Sequence, residues 1–320
     1  MTKDTLGLVS PTDTLWLRAY QALQAEIAAV DREALGVWLG LFPCLMEELS
    51  PDAAGEVYYQ IRGSWRLGAQ ADSSHYFLYA SAWWPAAKKA LRETLQANPP
   101  AGSDPVPQIR SLAQRIEAPD AHRLTLAFVA LKTLAQCGPG FLGTAGDSQP
   151  TVAQRSEKQV AELRIGKAKV GFLTKLFAKP TQHRVTFDEL RTDEHFPALD
   201  SQEITTAAEA DKRPYHLADE RCYEGMGPIP VDCRSGSCGT CWVGILGGRE
   251  NLDEAGEYER KRMEYFGYWD SGFGDEESTH PRLRLACQAK VHGPVSLVIP
   301  SWNGVYGKSR REREKRKGNE

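Results

Sequence analysis

Four cysteines carry the chemistry. Cys233, Cys238 and Cys241 are spaced Cys-x4-Cys-x2-Cys in the run Cys233-Arg234-Ser235-Gly236-Ser237-Cys238-Gly239-Thr240-Cys241. A fourth, Cys287, stands in Arg284-Leu285-Ala286-Cys287-Gln288. Two ferric ions bridged by two sulfides require four soft thiolates, two on each iron. A short loop presents three of them only if its backbone wraps tightly, and Gly236 and Gly239 permit that wrap because they lack a Cβ. Loop N–H groups then turn inward, which suits a centre of negative total charge. Arg234, Ser235, Ser237 and Thr240 leave the approach unblocked, and their N–H and hydroxyl groups are candidate hydrogen-bond donors to sulfur. Zinc is the first alternative. It would have Cys287 alone for its second half, with His280 or His292 as helpers. A redox dithiol ranks behind zinc.

The flanking segments extend the pattern. Ile229-Pro230-Val231-Asp232 leads into the loop, and Trp242-Val243-Gly244-Ile245-Leu246 reads as the strand that leaves it. Arg284-Leu285-Ala286-Cys287-Gln288-Ala289-Lys290-Val291 surrounds the fourth cysteine, and Val295-Ser296-Leu297-Val298-Ile299-Pro300 reads as a closing strand. On these residues, 183–300 resembles a plant-type [2Fe-2S] ferredoxin domain. The resemblance implies a β-grasp fold, a mixed sheet crossed by a helix with the cluster near one edge. It implies one-electron transfer, with Cys233, Cys238, Cys241 and Cys287 as ligands to one [2Fe-2S] cluster. Residues Arg234, Ser235, Gly236, Ser237, Gly239 and Thr240 would line it. Two departures from the family bear on its partner surface: 45 residues separate Cys241 from Cys287, with the extra length expected in 265–281, and 189–215 is long and polar.

The elements that hold this site follow from the rest of the chain, whose expected class is α+β and multidomain. Residues 1–137 read as an all-α helical domain. Ser10-Pro11-Thr12-Asp13 opens a helix carrying Leu15, Leu23, Ile27 and Val30. Asp31 is placed to cap a second helix ahead of Pro43. Ser50-Pro51-Asp52 opens a third with Val57, Tyr58 and Ile61. A fourth spans 75–97, with Pro85 at a kink or a first turn. Asp104 and Asp120 are placed to cap two more, the last ending at Gly138. Five of the eight tryptophans lie here: Trp16, Trp38, Trp65, Trp83 and Trp84. A bundle core is preferred to a ligand groove for them, and His75 and His122 are read as surface or core residues.

Residues 138–180 read as a linker and basic connector helix. Gly138-Pro139-Gly140-Phe141-Leu142-Gly143 matches G-x-G-x-x-G in letters, but it follows a predicted helix rather than a strand, so no nicotinamide or flavin site is assigned. Ser156 and Gln159 form a capping box. Lys167, Lys169, Lys175 and Lys179 alternate with apolar residues. That pattern fits a helix packed between domains, and less well a helix on a membrane surface. Residues 181–307 form the ferredoxin-like domain, with 13 basic against 22 acidic residues, a balance of −9 in a chain of net −3. Residues 308–320 read as a disordered charged tail.

Composition bounds the function. A charged content of 25% and hydrophobic content of 41% are those of a globular protein, and no run approaches a membrane span. The N-terminus carries no apolar signal core, so a cytoplasmic location is expected. The basic tail lacks aromatic interleaving, so nucleic acid is not expected as a partner. Cys44, Cys137 and Cys222 are read as small buried hydrophobes. The leading reading is a one-electron carrier, either a ferredoxin or the electron-relay subunit of a larger oxidoreductase, exchanging electrons with a reductase and an acceptor protein. It is preferred to an enzyme with its own substrate site, a question that stays open. The alternative is a cluster that serves as a structural or redox-sensing element of an interaction module.

Overall fold

The computed structural model describes residues 14–47, 58–60, 64–66, 72–97, 104–143, 153–165, 181–217, 222, 224–265 and 278–300. The basic connector sequence beyond 165, residues 266–277 of the insertion expected at 265–281, and the charged tail lie outside them. Two compact units are present, with the main break between Ala153 and Gln154.

The first unit is helical: α1 Thr14–Leu23, α2 Ala29–Glu47, α3 Trp84–Ala97, α4 Pro105–Ala113 and α5 Asp120–Cys137. Trp16, Ala19, Tyr20 and Leu23 repeat at helical spacing, and all four are buried. Helix α5 buries an unbroken run from Leu126 to Leu131, as a central helix must, and α2, α3 and α4 pack on it. Asp104 caps α4 by accepting from Val106 N at 3.0 Å. Helix α5 stops at Gly138, whose φ of 71° is left-handed and whose N–H reaches Leu134 O at 2.9 Å. Trp16, Trp38 and Trp84 are core residues rather than a groove. Trp38 Nε1 donates to Ser74 Oγ at 3.0 Å, and Trp84 Nε1 to Asp72 Oδ1 at 2.9 Å.

Three local expectations change. Helix α2 begins before Asp31, and the Asp31 carboxylate instead accepts from Tyr79 N at 2.6 Å and Ala80 N at 2.9 Å. It caps the 3-10 turn Tyr79–Trp83, because that turn's free N–H groups are buried where no water reaches them. Asp120 is the first residue of α5, after Pro119, rather than its cap. Tyr58–Gln60 (β1) is extended and pairs with Ser64–Arg66 (β2), where a helix was expected over Tyr58. Pro85 takes the first turn of α3, where its missing N–H costs nothing.

The second unit opens with a helix, α6 Glu157–Arg164, closed by the Ser156–Gln159 capping box. The strands are β3 Gln182–Thr186, β4 His195–Leu199, β5 Gln202–Glu203, β6 Trp242–Gly247, β7 Leu283–Leu285, β8 Lys290–Val291 and β9 Val295–Val298. Helices α7 Ile204–Glu209 and α8 Glu257–Tyr265 complete it. Five strands form one mixed sheet in the order β4-β3-β9-β6-β7, with β3 and β9 parallel and the other pairs antiparallel. Strands β5 and β8 pair separately.

Helix α6, read from sequence as part of a connector, packs on β6 and β9 within this unit. A Cβ at Gly247 would stand 2.4 Å from Arg164 Cα, so only glycine admits the helix there. Arg164 pairs with buried Glu189 at 2.6 Å, and Ser296 Oγ on β9 donates to the same carboxylate at 2.6 Å. Arg155 donates to the Glu189 and Thr192 carbonyls, each at 2.9 Å, and fastens the turn between β3 and β4. The sheet that carries the cysteines thus has its far edge fixed by two buried guanidinium groups.

One prediction concerns acid stability of the helical unit. His75 is 1% exposed, and neither ring nitrogen has a hydrogen-bond partner among the described residues. Burial, and next the Lys88 charge, push its pKa down to about 3. The unfolded chain therefore takes up a proton at about 6.5 that the folded chain refuses. Stability is retained above that value and lost as pH falls toward 3, by up to about 1.4 kcal/mol per pH unit. Urea titrations at pH 7 and pH 5, followed by tryptophan fluorescence, should show a smaller loss for His75→Phe than for the wild type. An equal loss contradicts the assignment.

Candidate metal centre

The cysteine loop is built from turns between buried Ile229 and the start of β6. Three of its residues are left-handed: Arg234 at φ 53°, Gly236 at 71° and Gly239 at 67°. The glycines take this conformation freely, whereas Arg234 is held in it at a cost of about 1–2 kcal/mol. Its guanidinium forms an ion pair with Glu209 on α7. Arg234 is therefore turned outward, and its charge anchors the loop rather than facing sulfur.

Strand pairing brings in the fourth cysteine. Strand β6 begins at the residue after Cys241, and β7 ends two residues before Cys287. The two strands are antiparallel, with Trp242 opposite Leu285, and Ala286 N donates to Cys241 O at 3.0 Å. Cys241 and Cys287 consequently lie side by side although 45 residues separate them. The thiols also act on one another: Cys233 interacts with Cys238 and with Cys287, and Cys241 with Cys287 and with Cys238. Among the described residues no group of three or more His, Cys, Asp or Glu is placed to hold a metal ion. By their chemistry, three soft thiol donors on one tight loop and a fourth beside Cys241 are the set a binuclear iron centre calls for. Cys238, Cys241 and Cys287 are buried, and Cys233 is partly exposed.

The surrounding donors explain the thiol electrostatics. Burial alone would raise the Cys233 pKa, but hydrogen bonds from Ser237, Cys238 and Ser235 bring it down to about 6. Burial raises Cys238, the Cys233 sulfur adds to the rise, and Thr240 Oγ1 at 3.0 Å opposes it. Its hydrogen bond to Cys287, and then burial, push Cys241 well above the ordinary thiol range. The same hydrogen bond lowers Cys287, aided by the Gln288 side chain and the Gly236 backbone. A metal takes thiolates, so the raised thiols Cys238 and Cys241 would release protons on loading.

Of the residues predicted to line the site, Ser235, Ser237 and Thr240 bring hydroxyls to sulfur, and Gly236 brings a backbone group. Gly239 shapes the turn, and Arg234 does not reach the thiols. Sequence reasoning quoted Gln288 without a role; its Nε2 lies 3.5 Å from Cys287 Sγ. It missed a buried ion pair beside the site. Arg284, 1% exposed, meets Glu259 of α8 through two 3.0 Å contacts, and donates to Asp253 O at 2.7 Å. A buried arginine just before the remote cysteine is visible in the sequence, but its partner 25 residues away is not.

Residues 198–292 match the family of 2Fe-2S iron-sulfur cluster binding domains. The C-terminal part of the chain therefore carries such a domain, and with it a 2Fe-2S electron-transfer role. No family matches the N-terminal part. No solved structure matches the chain. No described helix is long and apolar enough to cross a membrane.

The thiol electrostatics make a direct prediction. In the metal-free chain, Cys233 should be alkylated first by iodoacetamide, with a rate that rises with pH through a midpoint near 6 as thiolate forms. Ser237→Ala removes a donor to that thiolate and should move the midpoint upward. Peptide mapping after timed alkylation measures both. A midpoint near the ordinary value of about 8.5 contradicts the assignment.

Proposed function

We propose that this chain is a one-electron carrier that uses a single plant-type [2Fe-2S] cluster. Cys233, Cys238, Cys241 and Cys287 would hold it. The observation that carries this reading is the strand pairing that brings Cys287 beside Cys241, at the end of the Cys233–Cys241 loop, inside a segment that matches 2Fe-2S domains. The mixed sheet, with its parallel pair of β3 and β9 and the helix α7 packed on β4, supports a β-grasp assignment.

Once bound, the cluster supplies reversible one-electron oxidation and reduction without bond making in the protein. The chain's own groups do the rest. Four cysteines deprotonate and hold the irons, while the hydroxyls of Ser235, Ser237 and Thr240 and the backbone of Gly236 donate toward sulfur. Donation to sulfur stabilises the more negative, reduced state and so raises the potential. Burial of three ligands excludes water and works in the opposite sense. The expected value is near about −400 mV, and each ~59 mV changes the one-electron equilibrium tenfold.

Cys233 is the partly exposed ligand, so electrons enter and leave on its side. They come from a reductase and pass to an acceptor protein. The N-terminal helical domain, 1–137, would then select those partners, or dock the chain as the relay subunit of a larger oxidoreductase. Thiol ligands that must stay reduced fit the cytoplasm.

Anaerobic purification followed by iron and sulfide analysis, with redox titration monitored by EPR, tests the reading. It predicts two irons and two sulfides per chain and one signal that appears on one-electron reduction. A colourless chain, or a bound cluster that dithionite does not reduce, overturns it.

A further inference from the structure

Helix α8 touches both segments that supply the cysteines. From one side, Glu259 fixes it to β7. Its carboxylate is 3% exposed, takes both contacts from Arg284 and also accepts from Leu285 N at 2.7 Å. Arg284 is three residues before Cys287. From the other side, two neighbours of Glu259 on the same helix reach the cysteine loop. Arg262 Nη2 donates to Ser237 O at 2.6 Å. Tyr258 lies against Gly236, close enough that a Cβ there would stand 3.0 Å from Tyr258 Cε1. The tyrosine is still 50% exposed.

The ligand set is therefore in two pieces, and backbone bonding joins them at the Cys241 end, where β6 pairs with β7. The Cys233 end, farther round the loop, has no strand to hold it. Helix α8 supplies a link there, beside the Arg234–Glu209 pair. We propose that Tyr258 and Arg262 are positioning residues that clamp the Gly236–Ser237 turn, and that the Arg284–Glu259 pair braces the clamp against the strand leading to Cys287. The clamp slows opening of the loop and so slows loss of the metal. The inference rests on the four-cysteine reading above, but it concerns retention and not electron transfer as such.

The test uses the full chain as wild type, Tyr258→Ala and Tyr258→Phe. With the cluster bound, iron transfer to a strong chelator should be about tenfold faster in Tyr258→Ala, on the scale of a lost aromatic packing contact, and close to wild type in Tyr258→Phe. The reduction potentials of all three should agree, since the clamp donates nothing to sulfur through Tyr258. In the metal-free chain, the tyrosine-to-alanine change should speed alkylation of Cys287 while leaving the thermal unfolding midpoint unchanged. Equal iron release in all three, or a phenylalanine variant as leaky as the alanine one, overturns the inference. So does faster release explained by an equal fall in the unfolding midpoint. If none of the chains binds a cluster, the proposed function fails instead, and the alkylation comparison still decides whether α8 clamps the loop.

Discussion

Everything at the site depends on the antiparallel pairing of β6 and β7. A binuclear centre requires four sulfurs within a few ångströms, and one of them comes from a distant part of the chain. The ladder that sets Trp242 opposite Leu285 solves this by making Cys241 and Cys287 the continuations of adjacent strands. A slip of one residue would turn Cys287 to the other face of the sheet. The register is held against that slip by the buried side chains of Trp242, Val243, Leu283 and Leu285. Arg284 lies in the same strand and points into a second set of partners. Burying that charge is favourable only because Glu259 and the Asp253 carbonyl meet it completely; removing the carboxylate would leave an unpaired cation in the core.

The other half of the site obeys a different constraint. Residues 233–241 have no strand to fix them and rely on backbone wrap, with left-handed turns at three positions. The wrap turns N–H groups and hydroxyls inward, where they offset the negative charge that four thiolates bring. The Arg234 side chain is led outward and paired with Glu209, and the Ser237 backbone carbonyl accepts from Arg262. The domain is acidic as a whole, yet the loop is tied down by guanidinium groups.

How much of this was legible in the sequence varied with the range of the interaction. The 2Fe-2S domain was legible because soft donors at Cys-x4-Cys-x2-Cys spacing are rare and local. The capping box at Ser156, the cap at Asp104 and the stop at Gly138 were legible for the same reason: each is satisfied within a few residues. Asp31 was misread because its partners, the Tyr79 and Ala80 amides, lie nearly fifty positions on. A local rule supplied the nearer helix instead. Helix α6 was read as part of a connector because its polarity gave no sign of Gly247, the glycine at the end of β6 against which Arg164 packs. The extended Tyr58–Gln60 shows how a three-residue apolar spacing fits either period.

The account stands on four particular sulfurs, and the chain offers a control. Cys222 is a fifth cysteine of the same unit, buried at 4% exposure, with its thiol directed at the Pro228 carbonyl at 3.9 Å. The deciding measurement is the visible absorption and iron content of Cys287→Ala beside Cys222→Ala, each purified anaerobically as the full chain. The account predicts that the first loses its charge-transfer bands and most of its iron, while the second matches the wild type. An unchanged spectrum in Cys287→Ala, or the loss of the bands in Cys222→Ala instead, would contradict it.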